Sequence, residues 1–93
     1  MERVVASVMN GDVAVVEDAL IYLDAGMSSH GVQTWRAFVG VPRADVLAIG
    51  AQLRLEVIDG RVGDVLVSQM RADDDGRFTF TLTGTGPLER PGA

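Results

Sequence analysis

The residues best equipped for acyl-transfer chemistry lie between positions 24 and 30. Asp24, Ser28 and His30 supply a carboxylate, a hydroxyl and the single imidazole of the chain, which are the three groups of a hydrolytic triad. Adjacency in sequence does not give triad geometry, and no Gly-x-Ser-x-Gly motif presents Ser28 on a strained turn. A histidine metal site needs further imidazoles or thiolates, and the chain has no cysteine. We therefore expect no catalytic residue.

The acidic run Asp73-Asp74-Asp75, followed by Gly76, is a candidate cation site. Hard cations such as Ca²⁺ prefer carboxylate oxygens, but an EF-hand loop needs acids at alternate positions and a later glutamate. Here a strand pattern begins directly after the glycine. We interpret the run, and Asp59 in the same way, as solvated turns, and we expect no metal site.

Two further patterns lack the geometry that catalysis or cofactor binding requires. Glu17 and Asp18 are adjacent carboxylates, but neighbours on a strand point to opposite faces. The glycines at 60, 63, 84 and 86 do not match a P-loop or dinucleotide-binding fingerprint, and no predicted helix follows them to hold a phosphate. The sequence therefore indicates no cofactor.

Length and charge restrict the class of protein. The 93 residues, 47% of them hydrophobic, predict a single domain over 1–93. No apolar run approaches the ~20 residues of a membrane helix, and the start lacks a signal-peptide pattern, so we expect a cytoplasmic protein. The net charge of −5 repels phosphates, and the arginines are scattered among acids. We therefore expect neither nucleic acid nor a membrane as partner.

The element that must position these candidates is a hairpin within residues 52–70. Alternating apolar residues flank an Asp-Gly turn, in which Gly60 supplies a positive φ. A three-residue loop pairs Leu53 with Val65 and Arg54 with Asp64, which separates apolar from charged side chains, whereas a two-residue loop mixes them. We predict the first register, with these side chains on the buried face: Leu53, Leu55, Val57, Val65 and Val67.

The first forty residues alternate less clearly. Strands over 3–9 and 12–16 are predicted to pair through Asn10-Gly11, with Val8 opposite Val13. A further strand over 19–23 would follow. The alternative is a helix over 12–26, because the apolar spacing also fits a helix. The β-branched residues of this segment favour strands.

Regular alternation predicts two more strands, over 32–41 and 77–83, with Trp35 and Phe80 in the core. Pro42 ends the first of them, so 43–50 is expected to form a short helical turn or loop. Leu88 is expected to fold back onto the core, and residues 89–93 to fray. Together these elements predict an all-β fold, a small antiparallel barrel or strongly bent sheet of about six strands with hairpin connections and one short helical turn.

The residues left outside the predicted core suggest an interaction surface. On the central hairpin four apolar residues alternate with the buried ones and are therefore predicted to face outward: Ile58, Val62, Leu66 and Met70. Phe38 could extend the surface that they form. Contiguous exposed apolar residues commonly mark interfaces, although burial under 43–50 would also account for these. We expect a non-catalytic accessory or interaction module with a protein partner, preferentially a second copy in a homodimer.

Two other functions remain as alternatives. A small-ligand-binding barrel would need an interior that Trp35, Phe78 and Phe80 do not fill. A small hydrolase that uses the loop over 24–30 ranks last, because its candidate residues lack a defined geometry.

Overall fold

The computed structural model describes residues 1–27 and 33–91. They form six antiparallel strands, which are β1 (Glu2–Asn10), β2 (Val13–Met27), β3 (Gln33–Val41), β4 (Gln52–Val57), β5 (Val62–Ala72) and β6 (Phe78–Gly84). The strands close a barrel in the order β1-β2-β3-β6-β5-β4. The predicted all-β barrel is confirmed.

The central hairpin, β4–β5, has the predicted register. Leu53 lies opposite Val65 and Arg54 opposite Asp64, and Gly60 has a φ of 100°. The loop is closed by the amide of Gly60, which donates to the Val57 carbonyl at 2.9 Å. All five side chains predicted for the inner face are buried. The alternation of side chains was sufficient to predict this register because no bulge interrupts the two strands before Val67.

The predicted register of the first hairpin, β1–β2, is wrong. Asn10 lies opposite Val13 and Val8 opposite Val16, so the turn consists of Gly11, with a φ of 61°, and Asp12. Two register shifts interrupt the pairing. A bulge adds one residue to one strand, and alternation alone does not reveal where it falls.

β2 continues through the segment for which a break or a helix had been considered. It is one strand of 15 residues, and the positive φ of 47° at Asp18 marks the bulged region. The amide of Asp18 donates to Ser7 Oγ on β1 at 3.0 Å. This hydrogen bond gives the amide a partner within the bulge. The helix over 12–26 is therefore wrong, and so is the loop expected from Asp24 onward, because Asp24 lies within β2.

The connection between β3 and β4 consists of turns and bends, so the loop rather than the helical turn forms here, the two alternatives expected for 43–50. Its Leu47 is buried, and the amide of Gly50 donates to the Val67 carbonyl at 2.8 Å. The segment therefore packs against one end of the barrel. No helix in the ranges 1–27 and 33–91 is long and apolar enough to cross a membrane.

Trp35 occupies the opposite end of the barrel. It is buried, and its indole Nε1–H donates to the Gly86 carbonyl at 2.7 Å. Leu88 packs against the core as predicted. The tail does not fray at its start, because Glu89 pairs with Val62 through two backbone hydrogen bonds of 2.9 and 3.1 Å.

Side chains fill the interior of the barrel. Its fully buried members come from all six strands, and the largest are Phe80, Ile21, Leu55 and Leu82. Phe78 is partly buried and packs against this core. Small barrels of this kind have interiors just wide enough for their own side chains.

Candidate interaction surface

Of the three residues considered for hydrolysis, the structure describes only Asp24. Its Oδ2 accepts a hydrogen bond from Arg36 at 3.0 Å across the β2–β3 pair, so the carboxylate lies in an ion pair on the outer face of the barrel. Ser28 and His30 lie outside the described residues.

The acidic run at 73–75 forms the turn between β5 and β6. Asp73 Oδ2 accepts a hydrogen bond from Thr79 Oγ1 at 2.9 Å, and Asp75 Oδ1 accepts one from the amide of Arg77 at 3.2 Å. Gly76, with a φ of 84°, completes the bend. Both carboxylates thus bond within their own hairpin, which is the usual role of aspartate in turns. Across the described ranges no three His, Cys, Asp or Glu side chains are grouped closely enough to hold a metal ion.

Asp59 belongs to a cluster of charges around Arg61. The guanidinium donates to Asp59 Oδ2 and to Glu2 Oε2, both at 2.9 Å, and Arg90 Nε donates to the Asp59 carbonyl at 3.1 Å. The hydrogen bonds from the Arg61 side chain and amide lower the pKa of Asp59. Those from Glu2 and Asp59 to the guanidinium raise the pKa of Arg61. The cluster therefore joins the start of β1, the β4–β5 turn and the tail.

The proposed interface residues of the central hairpin do not form one patch. Ile58 is 76% exposed, but Val62 and Leu66 are partly buried. Between them lies Asp64, opposite Arg54. The outer face of this hairpin is therefore interrupted by charge.

Met70 lies on a different face from Leu66. A register shift between Val67 and Gln69 places Met70 opposite the buried Phe80, and directly opposed residues share a face of the sheet. Met70 therefore belongs to the inner row near the end of the barrel, where it is 41% exposed. The alternation that predicted an outward-facing Met70 is interrupted at this shift.

A contiguous apolar area does exist on the outside of β1, β2 and β3. Leu20 lies opposite Val5, and Tyr22 lies opposite Phe38. The amide of Ile58, which follows β4, donates to the Val5 carbonyl at 2.9 Å. We call these five residues the apolar surface: Val5, Leu20, Tyr22, Phe38 and Ile58. Two of them, Phe38 and Ile58, were among the residues proposed from the sequence.

The apolar surface is accessible and flanked by charged groups. Leu20 is 52% and Tyr22 38% exposed, while Val5 and Phe38 are partly buried. The Arg36 guanidinium lies over the Phe38 ring, 5.5 Å from its centroid, and favours a defined orientation of both side chains. Next to Phe38 an open hollow of about 450 Å³ extends toward Arg71.

Sequence reasoning missed Leu20 and Tyr22. Their alternation with the buried Ile21 and Leu23 was a usable signal, since it places both on the outer face of a strand. The apolar spacing of 12–26 also fits a helix, so alternation alone does not assign this segment to a strand.

Comparison with known protein families, curated proteins and solved structures finds no match for this chain.

Proposed function

We propose that the chain is a non-catalytic interaction module that self-associates through the apolar surface. The observation that carries this proposal is the contiguity of the five apolar side chains across neighbouring strands on the outside of a closed barrel. Monomers rarely leave large contiguous apolar areas in water, and such areas mark interaction sites.

Barrel closure supports an interface made of side chains. Each of the six strands pairs with a neighbour on both sides, and a closed barrel offers few open strand edges to which a partner could add a strand. A partner is therefore expected to contact the outer face.

The ligand-binding barrel has less support. Phe80, Leu82 and Trp35 occupy the interior, so a ligand would have to bind on the outside, in the open hollow beside Phe38. That hollow adjoins the apolar surface and is equally compatible with a protein contact. The proposal includes a cytoplasmic location, which the absence of cysteine favours.

The proposed contact is weak by energetic reasoning. Complete burial of an exposed aliphatic side chain contributes about 1.5–3 kcal/mol, and Leu20 and Ile58 are already partly covered. Association costs at least ~4 kcal/mol in lost rotational and translational freedom. We therefore expect dimers to form in the micromolar range or above.

Sedimentation velocity over a series of concentrations tests the proposal. The native chain is expected to shift from monomer to dimer as its concentration rises to several hundred micromolar. Leu20→Glu is expected to remain monomeric throughout, because dimerisation would bury a charge.

The matched control is Ile49→Glu. Ile49 is 58% exposed, similar to Leu20, but it lies in the connection between β3 and β4, so this variant is expected to dimerise like the native chain. Leu66→Glu, on the central hairpin, is also expected to dimerise. A native chain that is monomeric at every concentration would overturn the proposal. If Ile49→Glu dissociated the dimer as strongly as Leu20→Glu does, the apolar surface would be excluded as the interface.

A further inference from the structure

The two sides of the Val5–Leu20 row, taken along the strands, carry opposite charges. Arg3 on β1 lies opposite Tyr22 on β2 and is exposed. On the other side the exposed Asp18 lies beside Ser7, to whose Oγ its amide donates. Within the described part of the chain neither Arg3 nor Asp18 forms an ion pair.

The charges lie on opposite sides of the Val5–Leu20 row. Arg3 and Ser7 are two residues before and two residues after Val5 on the same strand. With a rise of about 3.4 Å per residue, each lies roughly 7 Å from the row formed by Val5 and Leu20. The Val5–Leu20 row therefore has a basic side, on which Tyr22 and Phe38 also lie, and an acidic side.

We propose that the apolar surface binds a second copy of this chain, related by a two-fold axis that runs across the strands along the Val5–Leu20 row. This inference rests on the proposed function and specifies its geometry. Rotation about the axis exchanges the two sides of the row but keeps each strand in line with itself, so Arg3 of each copy lies over Ser7 of the other. Asp18, whose amide donates to Ser7 Oγ, is one strand spacing of about 4.8 Å away, within reach of the arginine side chain. Leu20 then lies against Leu20 of the second copy, as an isologous contact requires.

The charges distinguish this axis from the other two-fold arrangement of the same faces. An axis parallel to the strands through Leu20 would bring Asp18 near Asp18 of the second copy. Like charges placed together in an interface oppose association. Each copy also carries a net charge of −5, so long-range electrostatics do not favour dimerisation, and complementary local pairs become more important.

Two charge reversals test the geometry. Arg3→Glu places two acids in each contact, and Asp18→Arg places two arginines there, so each variant alone is expected to dimerise at least ~10-fold more weakly than the native chain. Asp18→Asn tests the same position with a residue that tolerates a positive φ, and is expected to weaken the dimer by a smaller factor.

The decisive sample is an equimolar mixture of Arg3→Glu and Asp18→Arg. In a heterodimer of these variants the two substituted positions face each other with opposite charges, and the unchanged Arg3 and Asp18 form the second contact. Both contacts are therefore complementary. Native mass spectrometry distinguishes the heterodimer from the homodimers by mass. We expect the heterodimer to dominate the dimeric fraction, with an affinity within ~3-fold of that of the native dimer.

The matched control is a mixture of Arg43→Glu and Asp74→Arg, which change the net charge equally at exposed positions in the β3–β4 connection and the β5–β6 turn, away from the apolar surface. These variants are expected to form homo- and heterodimers in statistical proportion. A statistical distribution for the Arg3 and Asp18 variants would overturn the proposed axis, and the proposed function would stand if Leu20→Glu still dissociates the dimer. A monomeric native chain would overturn both.

Discussion

Two glycines allow Trp35 to occupy the end of the barrel. A Cβ atom at Gly63 would lie 2.6 Å from Trp35 Cζ2 and 3.0 Å from the Pro87 carbonyl oxygen, and a Cβ atom at Gly84 would overlap the indole ring as well. The absence of side chains at both positions therefore makes room for the largest side chain of the protein.

Gly63→Ala is expected to lower the free energy of unfolding by about 1–3 kcal/mol, because the added methyl group displaces a buried indole or a backbone carbonyl. Urea denaturation measures the change. Gly86→Ala is the control, since its Cβ would meet no atom within 4 Å, and its effect is expected to stay below ~0.5 kcal/mol. Equal effects of the two substitutions would contradict this account.

At the residue scale, the sequence predicted which side chains are buried better than it predicted why glycine is required. The parity of β3 correctly assigned Trp35 to the core. The need for glycine at 63 and 84 depends on a contact between strands distant in sequence, which local alternation does not contain.

Arg61 connects three elements that the chain order separates. Its guanidinium bonds to Glu2 at the start of β1 and to Asp59 in the β4–β5 turn, while Arg90 of the tail bonds to the same turn. The ion pairs are exposed or partly exposed, so their effect on stability is modest.

This cluster predicts how the stability of the fold changes at acid pH. Because Arg61 lowers the pKa of Asp59 in the folded protein, the ionised carboxylate stabilises the fold. The contribution is complete above the unfolded pKa of about 3.9 and is lost as the pH falls through the lower folded pKa.

Asp59→Asn removes this contribution. The difference in Tm between native protein and variant is therefore expected to be largest near neutral pH and to shrink below about pH 4. Thermal unfolding between pH 7 and pH 2 measures it. Asp74→Asn, at an exposed carboxylate with no ion pair among the described residues, is expected to follow the native profile. A Tm difference that grows as the pH falls would contradict stabilisation of the fold by the ionised Asp59 carboxylate.

Bulges determined how well the elements were predicted. Alternation correctly assigned β3, β6 and the paired part of β4–β5, where no bulge intervenes. It failed in β1–β2, where the turn is Gly11-Asp12 and two register shifts follow, and after Val67, because an inserted residue exchanges the two faces of a strand. The shift after Val67 explains the wrong face predicted for Met70, whereas Val62 and Leu66 precede it and lie on the outer face as predicted.

For the whole molecule, self-association predicts that stability depends on concentration. A dimer that forms only from folded chains shifts the unfolding equilibrium by mass action, so the Tm of the native protein is expected to rise with concentration. The Tm of Leu20→Glu is expected to stay constant. Differential scanning calorimetry at concentrations on both sides of the dimer Kd measures both, and an invariant native Tm would argue against the dimer.

The sequence predicted the fold class but not the closure of the barrel. Hairpin signals identify strands that are neighbours in the chain. The pairs that close the barrel, β1–β4 and β3–β6, join strands that are not consecutive, and no local pattern specifies them. The chain length and the need to protect strand edges favoured closure only in general terms.

The strand order also bears on how the chain reaches its native state. β1-β2-β3 and β4-β5-β6 are two three-stranded meanders, each built from consecutive hairpins, and the β3–β6 and β1–β4 pairs join them into the barrel. Hairpins close short loops quickly, whereas joining distant segments carries a larger entropic cost and slows folding. The meanders are therefore expected to assemble first, and their docking is expected to be the rate-limiting step of folding.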